Sequence, residues 1–170
     1  MRYKTTPEIV LGNVPEIEVP ELQVSYDRSS GKQFLGKITT PEDVAAFLKR
    51  TFKNGEIELQ EHFIVLYLSQ SNNIIGYYRH SKGAINATLA DIRIILGTAL
   101  KCAAVSMIVS HNHPSGNFTP SRADEQLTQK LKEAATTMDI KLLDHIIITK
   151  DSHFSFADQG LLGLEGVSLL

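Results

Sequence analysis

The sequence has no tryptophan and almost no cysteine. Cys102 is the one cysteine among 170 residues, so an intrachain disulfide and a zinc site built from cysteine thiolates are both excluded. We interpret Cys102 as a core residue rather than a nucleophile, because it lies in an apolar helical pattern and free cysteine packs as a small hydrophobe. A chain without disulfides is typical of a reducing compartment, and we expect a cytoplasmic protein.

Long apolar runs are missing as well. No run approaches the ~20 residues that a membrane-spanning helix requires, and the first residues, from Met1 to Pro7, lack the apolar stretch of a secretory signal peptide. We therefore expect no membrane association. The glycosylation sequons at Asn86 and Asn117 carry no meaning without a secretory signal.

An excess of charge of either sign is also absent. The chain has 17 Lys and Arg residues against 19 Asp and Glu residues, a formal net charge of −2, which provides no electrostatic basis for binding nucleic acid. A local basic patch could still form on folding, for example from Lys49, Arg50 and Lys53. Whether DNA is a partner is therefore left open, and the net charge does not favour DNA binding.

Alternating β-rich and helical patterns with short links predict a single mixed α/β domain. Residues 1–38 are assigned to an N-terminal strand and loop extension, with a strand candidate over 22–26, and residues 39–170 to the domain. The helix that opens at 88–91 is expected to bury Leu89, Ile92, Leu96, Leu100 and Ala103. The predicted elements are helices over 40–52, from 88–91 onward and over 121–138, and strands over 61–69, 74–80, 105–110, 142–149 and 153–156, with a hairpin turn between the first two strands.

Two histidines separated by one residue stand directly after an apolar strand pattern. Residues i and i+2 of an extended segment point to the same side, so the imidazoles of His111 and His113 can converge on one ion. Asp124, in the first turn of the next predicted helix, can return to that ion as an oxygen ligand. Two nitrogens and one carboxylate with a fourth position open form the arrangement of a catalytic zinc, with one ion per chain.

Each part of this segment also has a structural interpretation. A His-x-His pair occurs often by chance, Ser121 and Asp124 can form only a capping box, and the Pro-Ser-Gly segment can be only a turn. The combination at the end of a buried strand favours the metal interpretation. Capping and ligation are compatible, because a cap fixes the first helical turn and so aims Asp124.

The pattern His-x-His-x7-Ser-x2-Asp, complete at His111, His113, Ser121 and Asp124, resembles the JAMM motif of JAB/MPN+ metalloproteases. His-Asn-His-Pro-Ser-Gly, Pro-Ser-x-x-Asp and the later Leu-Asp-His-Ile-Ile are similar to the RadC-like branch, over residues 61–160. The resemblance implies a cytidine-deaminase-like JAB/MPN fold, in which a curved mixed sheet is flanked by helices and one zinc lies at a strand end. Asn112 stands where most peptidase members carry Ser or Thr. RadC-like proteins share this asparagine. The departure therefore bears on isopeptidase activity and not on the resemblance to the family.

The resemblance implies a zinc-dependent hydrolase whose metal-activated water attacks a peptide or isopeptide carbonyl. It assigns Glu61 as the general acid/base, with Glu58 as the fallback. Propensity alone favours a solvated strand end at Glu61, and the resemblance reverses that preference. Ser121 would donate to the oxyanion. Asp144 and His145 either support a metal-binding histidine or bond main chain, and at most one of them can face the site because they point to opposite faces of a strand.

The substrate is an unknown peptide or protein, and the sequence does not indicate an oligomeric state. The alternative function is a DNA repair or DNA-processing accessory protein of the RadC type without peptidase activity. A zinc deaminase is excluded, because its His-x-Glu and Pro-Cys-x-x-Cys signature is missing. A metal-binding module without catalysis is the third alternative. The histidines outside the motifs are expected to be surface or packing residues: His62, His80 and His153.

Overall fold

The structure is a computed structural model that describes residues 39–53, 55–83 and 90–163. The extension expected over 1–38, its strand candidate, the sequon at Asn86 and the helix start at 88–89 lie outside the described residues. The division at residue 38 therefore stays a prediction.

The described residues form a five-stranded mixed sheet with helices on both faces, which confirms the predicted fold class. The strand order is β2-β1-β3-β4-β5. Strands β3 and β4 are parallel and the other neighbours antiparallel, so the connection between β3 and β4 crosses over through a helix, as parallel pairing requires. The elements are α1 (Pro41–Lys49), α2 (Glu56–Leu59), β1 (His62–Leu68), β2 (Ile74–Lys82), α3 (Ile92–Lys101), β3 (Ser106–Asn112), α4 (Arg122–Thr137), β4 (Lys141–Ile148) and β5 (His153–Ser155).

Strict alternation along the buried central strands gives the sheet two apolar faces. In β1, Phe63 and Val65 belong to the core that packs under α3 and α4, while Ile64 and Leu66 belong to the core under α1. Every residue of β1 and of β3 is buried, as expected for strands covered on both sides. The predicted hairpin between β1 and β2 is confirmed, with Asn72 in the left-handed region at φ 58°, which asparagine tolerates in turns.

Two local expectations were wrong, and one short element was missed. Helix α1 ends at Lys49, and the short helix α2 was not expected at all. Leu100 is 57% exposed and Ala103 is exposed beyond the end of α3. The buried stripe of α3 is formed instead by Ile95, Leu96 and Ala99, with Ile92 packed against the same core. Ala103 lies beyond the last helical residue, Lys101, and its φ of 53° is not helical, so it does not continue the stripe.

A bulge in β4 decides which of its polar side chains faces α4. The pairing of β4 with β3 skips Leu143, and an extra residue shifts the alternation of a strand by one. Ile108 pairs with Asp144 and belongs to the core under α1, whereas Val109 pairs with His145 and belongs to the core under α3 and α4. Asp144 and His145 therefore lie on opposite faces of the sheet.

Among the helices that the structure describes, none combines the length and the apolar character needed to cross a lipid bilayer.

Candidate metal centre

The two histidines of the motif meet at the end of β3. His111 is the next-to-last residue of the strand, and the extended path continues through His113, whose N–H donates to the carbonyl of Ile148 at 3.0 Å. Their side chains share one side, and the two Nε2 atoms lie 2.9 Å apart. His111 is buried against Phe63, with the rings stacked at 6.3 Å between centroids.

Asp124 reaches these imidazoles from the first turn of α4. Its Oδ1 lies 3.3 Å from Nε2 of His111 and its Oδ2 lies 3.9 Å from Nε2 of His113. Ser121 caps the helix: its hydroxyl and its N–H donate to Oδ2 of Asp124 at 2.6 and 2.7 Å, and the Asp124 N–H donates to the Ser121 hydroxyl. The capping box is therefore present, and it aims the carboxylate at the histidines.

The Asp124 carboxyl is strongly biased toward its charged form. Burial by itself raises its pKa, but the hydrogen bond and charge of His111 and the hydrogen bonds of Ser121 outweigh burial. The net effect holds the pKa of Asp124 well below its usual range. An ionised carboxylate is the form that binds a cation.

The loop after β3 fixes the tautomer of His113. Its Nδ1 lies 2.6 Å from the carbonyl oxygen of Asn117. A carbonyl only accepts, so Nδ1 carries the hydrogen and Nε2 of the neutral ring carries a lone pair. Gly116 allows the loop to return, since it adopts φ 79° and its N–H donates to the His113 carbonyl.

A second chain of hydrogen bonds fixes the tautomer of His111. The Thr128 hydroxyl donates to the Asp124 carbonyl at 2.6 Å, so it can only accept from Nδ1 of His145, 2.5 Å away. Nε2 of His145 then accepts from Nδ1 of His111 at 2.8 Å. In the neutral form of the ring, Nε2 of His111 then carries a lone pair that faces the other two groups.

His145 is neutral in this chain. Burial lowers its pKa well below the usual value, and the neighbouring His111 lowers it further. Its ring is wholly buried and stacks on Phe156 at 4.7 Å. The expectation that at most one of Asp144 and His145 faces the site is confirmed, and the residue is His145.

The donor set and its spacing fit a metal ion. The ligand atoms of His111, His113 and Asp124 all lie within 4.8 Å of one another. Ligand atoms around a tetrahedral zinc at 2.0–2.1 Å stand about 3.3 Å apart, close to the 2.9 and 3.3 Å that separate Nε2 of His111 from its two neighbours. With both imidazoles neutral, three lone-pair donors converge here, and a cation would relieve their mutual repulsion. These residues can hold one metal ion with a position left for a small ligand.

Glu61 is placed by strand register rather than by a contact with the triad. Phe63 pairs with His111 at the end of the antiparallel ladder of β1 and β3, and the same register, continued two residues beyond that end, would bring Glu61 opposite His113. Residues two apart in an extended segment share a face, so Glu61 would then lie on the face of Phe63. Glu58 is exposed and its carboxylate lies 3.2 Å from Nζ of Lys150.

The remaining histidines do not join the triad. The ring of His62 is buried edge-on to Phe52, and the Nε2 atom of His80 accepts from the N–H of Asp91. These contacts agree with packing roles. Two residues of the site region have structural roles that the sequence did not indicate: Thr128, one helical turn after Asp124, and Asn112, between the two histidines.

Comparison with known proteins identifies the family. The model of the RadC-like JAB domain family matches residues 38–161. A UPF0758 protein of Flavobacterium johnsoniae is 41% identical over 127 residues, which cover 75% of this chain and 54% of the relative. A UPF0758 protein of Haemophilus ducreyi is 46% identical over 104 residues, 61% of this chain and 47% of the relative. One from Streptococcus gordonii is 34% identical over 165 residues, 94% of this chain and 72% of the relative.

The fold and the triad thus define a JAB-type domain with a hydrolase-like architecture. The chain belongs to the RadC-like JAB domain family. It spans about half of the length of the first curated relatives that it matches. The names of these relatives state no activity and no substrate.

Proposed function

We propose that this chain is a zinc-dependent hydrolase that cleaves a peptide or isopeptide amide. The observation that carries the proposal is the convergence of two imidazole nitrogens and one carboxylate, all within 4.8 Å of one another, in a RadC-like JAB domain. Three protein ligands with a fourth position open are typical of catalytic zinc, whereas structural zinc is closed by four.

His111, His113 and Asp124 would hold the ion. Zinc in such a site lowers the pKa of a bound water toward about 7 and polarises a carbonyl. The protein contributes the fixed tautomers: the Asn117 carbonyl holds His113, and His145 holds His111. Orientation of ligand imidazoles by a second hydrogen bond is a general feature of metal sites.

Glu61 is the proposed general acid/base. Its carboxylate would take a proton from the attacking water and return it to the leaving amine nitrogen. The register of β1 and β3, which continued by two residues would bring Glu61 opposite His113, supports this assignment. The ion pair of Glu58 with Lys150 argues against the fallback.

Ser121 is proposed to donate its hydroxyl to the carbonyl oxygen as negative charge develops there. The residue is exposed, so a substrate can reach it. Its hydroxyl can turn from the Asp124 carboxylate to the substrate while still accepting from the Asp124 N–H.

A role with DNA has one observation in its favour. A cavity of about 500 Å³ beside α2 and β2 is lined by three cationic side chains, Lys53, Arg79 and Lys82. Glu56 lies in the same cavity, 3.7 Å from Arg79, and its carboxylate offsets part of that charge. The cavity therefore supports DNA binding less strongly than the triad supports hydrolysis.

The test is a hydrolysis screen of the purified protein, loaded with zinc or stripped by a chelator. The substrates are a peptide library, conjugates of ubiquitin-like proteins and DNA. We expect cleavage of an amide that disappears on chelation and returns with zinc. Cleavage that survives chelation, or cleavage of DNA alone, would contradict the proposal.

A further inference from the structure

The side chain between the two histidines is buried on the opposite side of the strand. Because β3 alternates, His111 points to the α4 face and Asn112 to the face of α1 and α2. Asn112 has no exposed surface. A buried amide needs hydrogen-bond partners, and those of Asn112 all lie 50 to 55 residues earlier in the chain.

The Asn112 amide makes three hydrogen bonds to main chain. Its Nδ2 donates to the carbonyls of Ile57 at 2.8 Å and Gln60 at 3.0 Å, and its Oδ1 accepts from the N–H of His62 at 2.8 Å. The orientation of the amide follows from its partners, since the reversed amide would set oxygen against two carbonyls. Both N–H groups are used.

These bonds hold the two peptide units on either side of Glu61. The Gln60 carbonyl belongs to the unit before Glu61, and the His62 N–H belongs to the unit after it. Fixing both units fixes the φ and ψ of the residue between them, and so the direction of its Cα–Cβ bond. The Glu61 carbonyl is held as well, because it accepts from the N–H of Gly83 at 2.9 Å.

We propose that Asn112 is the positioning residue that aims Glu61 at the metal centre. The inference rests on the proposed role of Glu61 as general acid/base. One strand end thus serves both halves of the site: His111 and His113 face the metal, and Asn112 fixes the backbone that carries Glu61. This also accounts for the residue type at position 112. A serine or threonine hydroxyl has one hydrogen to donate and a shorter reach, so it cannot replace three bonds.

The first test needs no substrate. Amide hydrogen exchange is compared between the native protein, Asn112→Ser and the matched control Ser110→Ala. Ser110 is buried on the same face of β3, and within the described part of the chain its hydroxyl has no hydrogen-bond partner. We expect exchange at His62 to accelerate roughly tenfold or more in Asn112→Ser only, with protection of the His113 amide unchanged. Unchanged protection at His62 would show that Asn112 does not hold the main chain around Glu61, and it would overturn the proposal.

The second test asks whether the hydrogen bonds of Asn112 position the side chain of Glu61. In protein loaded with cobalt(II), the carboxyl carbon of Glu61 should be broadened by the paramagnetic ion. Asn112→Ser should weaken that broadening while metal content stays at the native level, and Ser110→Ala should leave it unchanged. Equal broadening in Asn112→Ser and in the native protein would contradict the proposal. If cobalt does not bind at all, the proposed function fails. The exchange experiment still decides whether Asn112 holds the main chain around Glu61.

The third test is a double-substitution cycle on whichever amide is cleaved. We expect Asn112→Ser to lower kcat by roughly 10- to 100-fold with KM unchanged, and to have no further effect in a Glu61→Gln background. If the reductions in kcat caused by the two substitutions multiply in the double variant, the role of Asn112 is merely structural and the proposal is overturned. Asn112→Thr, which fills more of the buried volume and suits a strand, takes the place of the serine variant if that variant does not fold.

Discussion

Nδ1 of His111 lies 2.8 Å from Nε2 of His145, a fully buried histidine on the neighbouring strand. Since Nδ1 of His145 donates its hydrogen to the Thr128 hydroxyl, Nε2 of the neutral ring can only accept from His111. This fixes the ring of His111 in the tautomer and orientation that leave Nε2 free for a metal.

His145→Phe tests this relationship. Phenylalanine preserves the stacking on Phe156 but removes both ring nitrogens, so His111 loses its orienting acceptor. We expect zinc affinity to fall by roughly 10- to 100-fold, measured by competition with a chromophoric chelator. Native affinity in a folded His145→Phe protein would show that the hydrogen bond does not support the metal site.

Glu61→Gln separates a proton shuttle from a metal ligand. Glutamine keeps the shape of the side chain and removes the proton acceptor, so hydrolysis should fall by roughly 10²–10⁴ while zinc content by mass spectrometry is unchanged. Glu58→Gln, at an exposed residue paired with Lys150, is the matched control and should retain activity. Loss of zinc in Glu61→Gln would make Glu61 a ligand, and loss of activity in Glu58→Gln alone would move the role to Glu58.

Local signals predicted the parts of this site that depend on neighbours in the chain. The alternation of an extended segment was enough to bring His111 and His113 to one side, and a capping box was enough to direct Asp124. The helix starts at Thr40 and Ser121 follow from the same chemistry, since each has a capping side chain followed three residues later by an acid.

Features that depend on pairing between distant strands could not be predicted. The choice of His145 over Asp144 depends on a bulge at Leu143, which is a property of the β3–β4 register. The partners of Asn112 are 50 or more residues away. No sequence period reveals such contacts, because they arise only when β1 and α2 pack beside β3.

Asp144 makes the stability of the metal-free protein depend on pH. Burial raises the pKa of this carboxyl to about 6 from its ordinary 3.8, against the opposing hydrogen bonds of Ser155, Ala157 and His145. Between these two values the folded state holds a proton that the unfolded state releases, so rising pH favours unfolding. By neutral pH this effect lowers the free energy of unfolding by about 3 kcal/mol.

The substitution Asp144→Asn removes this dependence, because an asparagine side chain does not titrate. We expect the stability of the native protein relative to Asp144→Asn to fall as pH rises from about 4 to about 7, measured by urea denaturation in the presence of a chelator. Asp151→Asn, in an exposed turn, should show no such trend. A difference between native protein and Asp144→Asn that is constant over the range would contradict the account.

Duplex DNA should bind weakly. The 17 cationic residues are matched by 19 acidic ones, and the cationic cavity at Lys53, Arg79 and Lys82 contains Glu56. We expect a Kd no tighter than the ~10⁻⁴–10⁻⁶ M of non-specific binding at physiological salt, by fluorescence anisotropy. A sub-micromolar affinity with a steep salt dependence would favour the DNA-processing alternative.

The most direct measurement is a crystal structure of the zinc-loaded protein with anomalous data at the zinc edge. The account predicts one peak per chain, at roughly 2.0–2.2 Å from Nε2 of His111, Nε2 of His113 and a carboxylate oxygen of Asp124, with water as the fourth ligand. The peak should be lost in His113→Ala. A fourth protein ligand, an unchanged peak in that variant, or no peak between these residues would contradict a catalytic zinc centre.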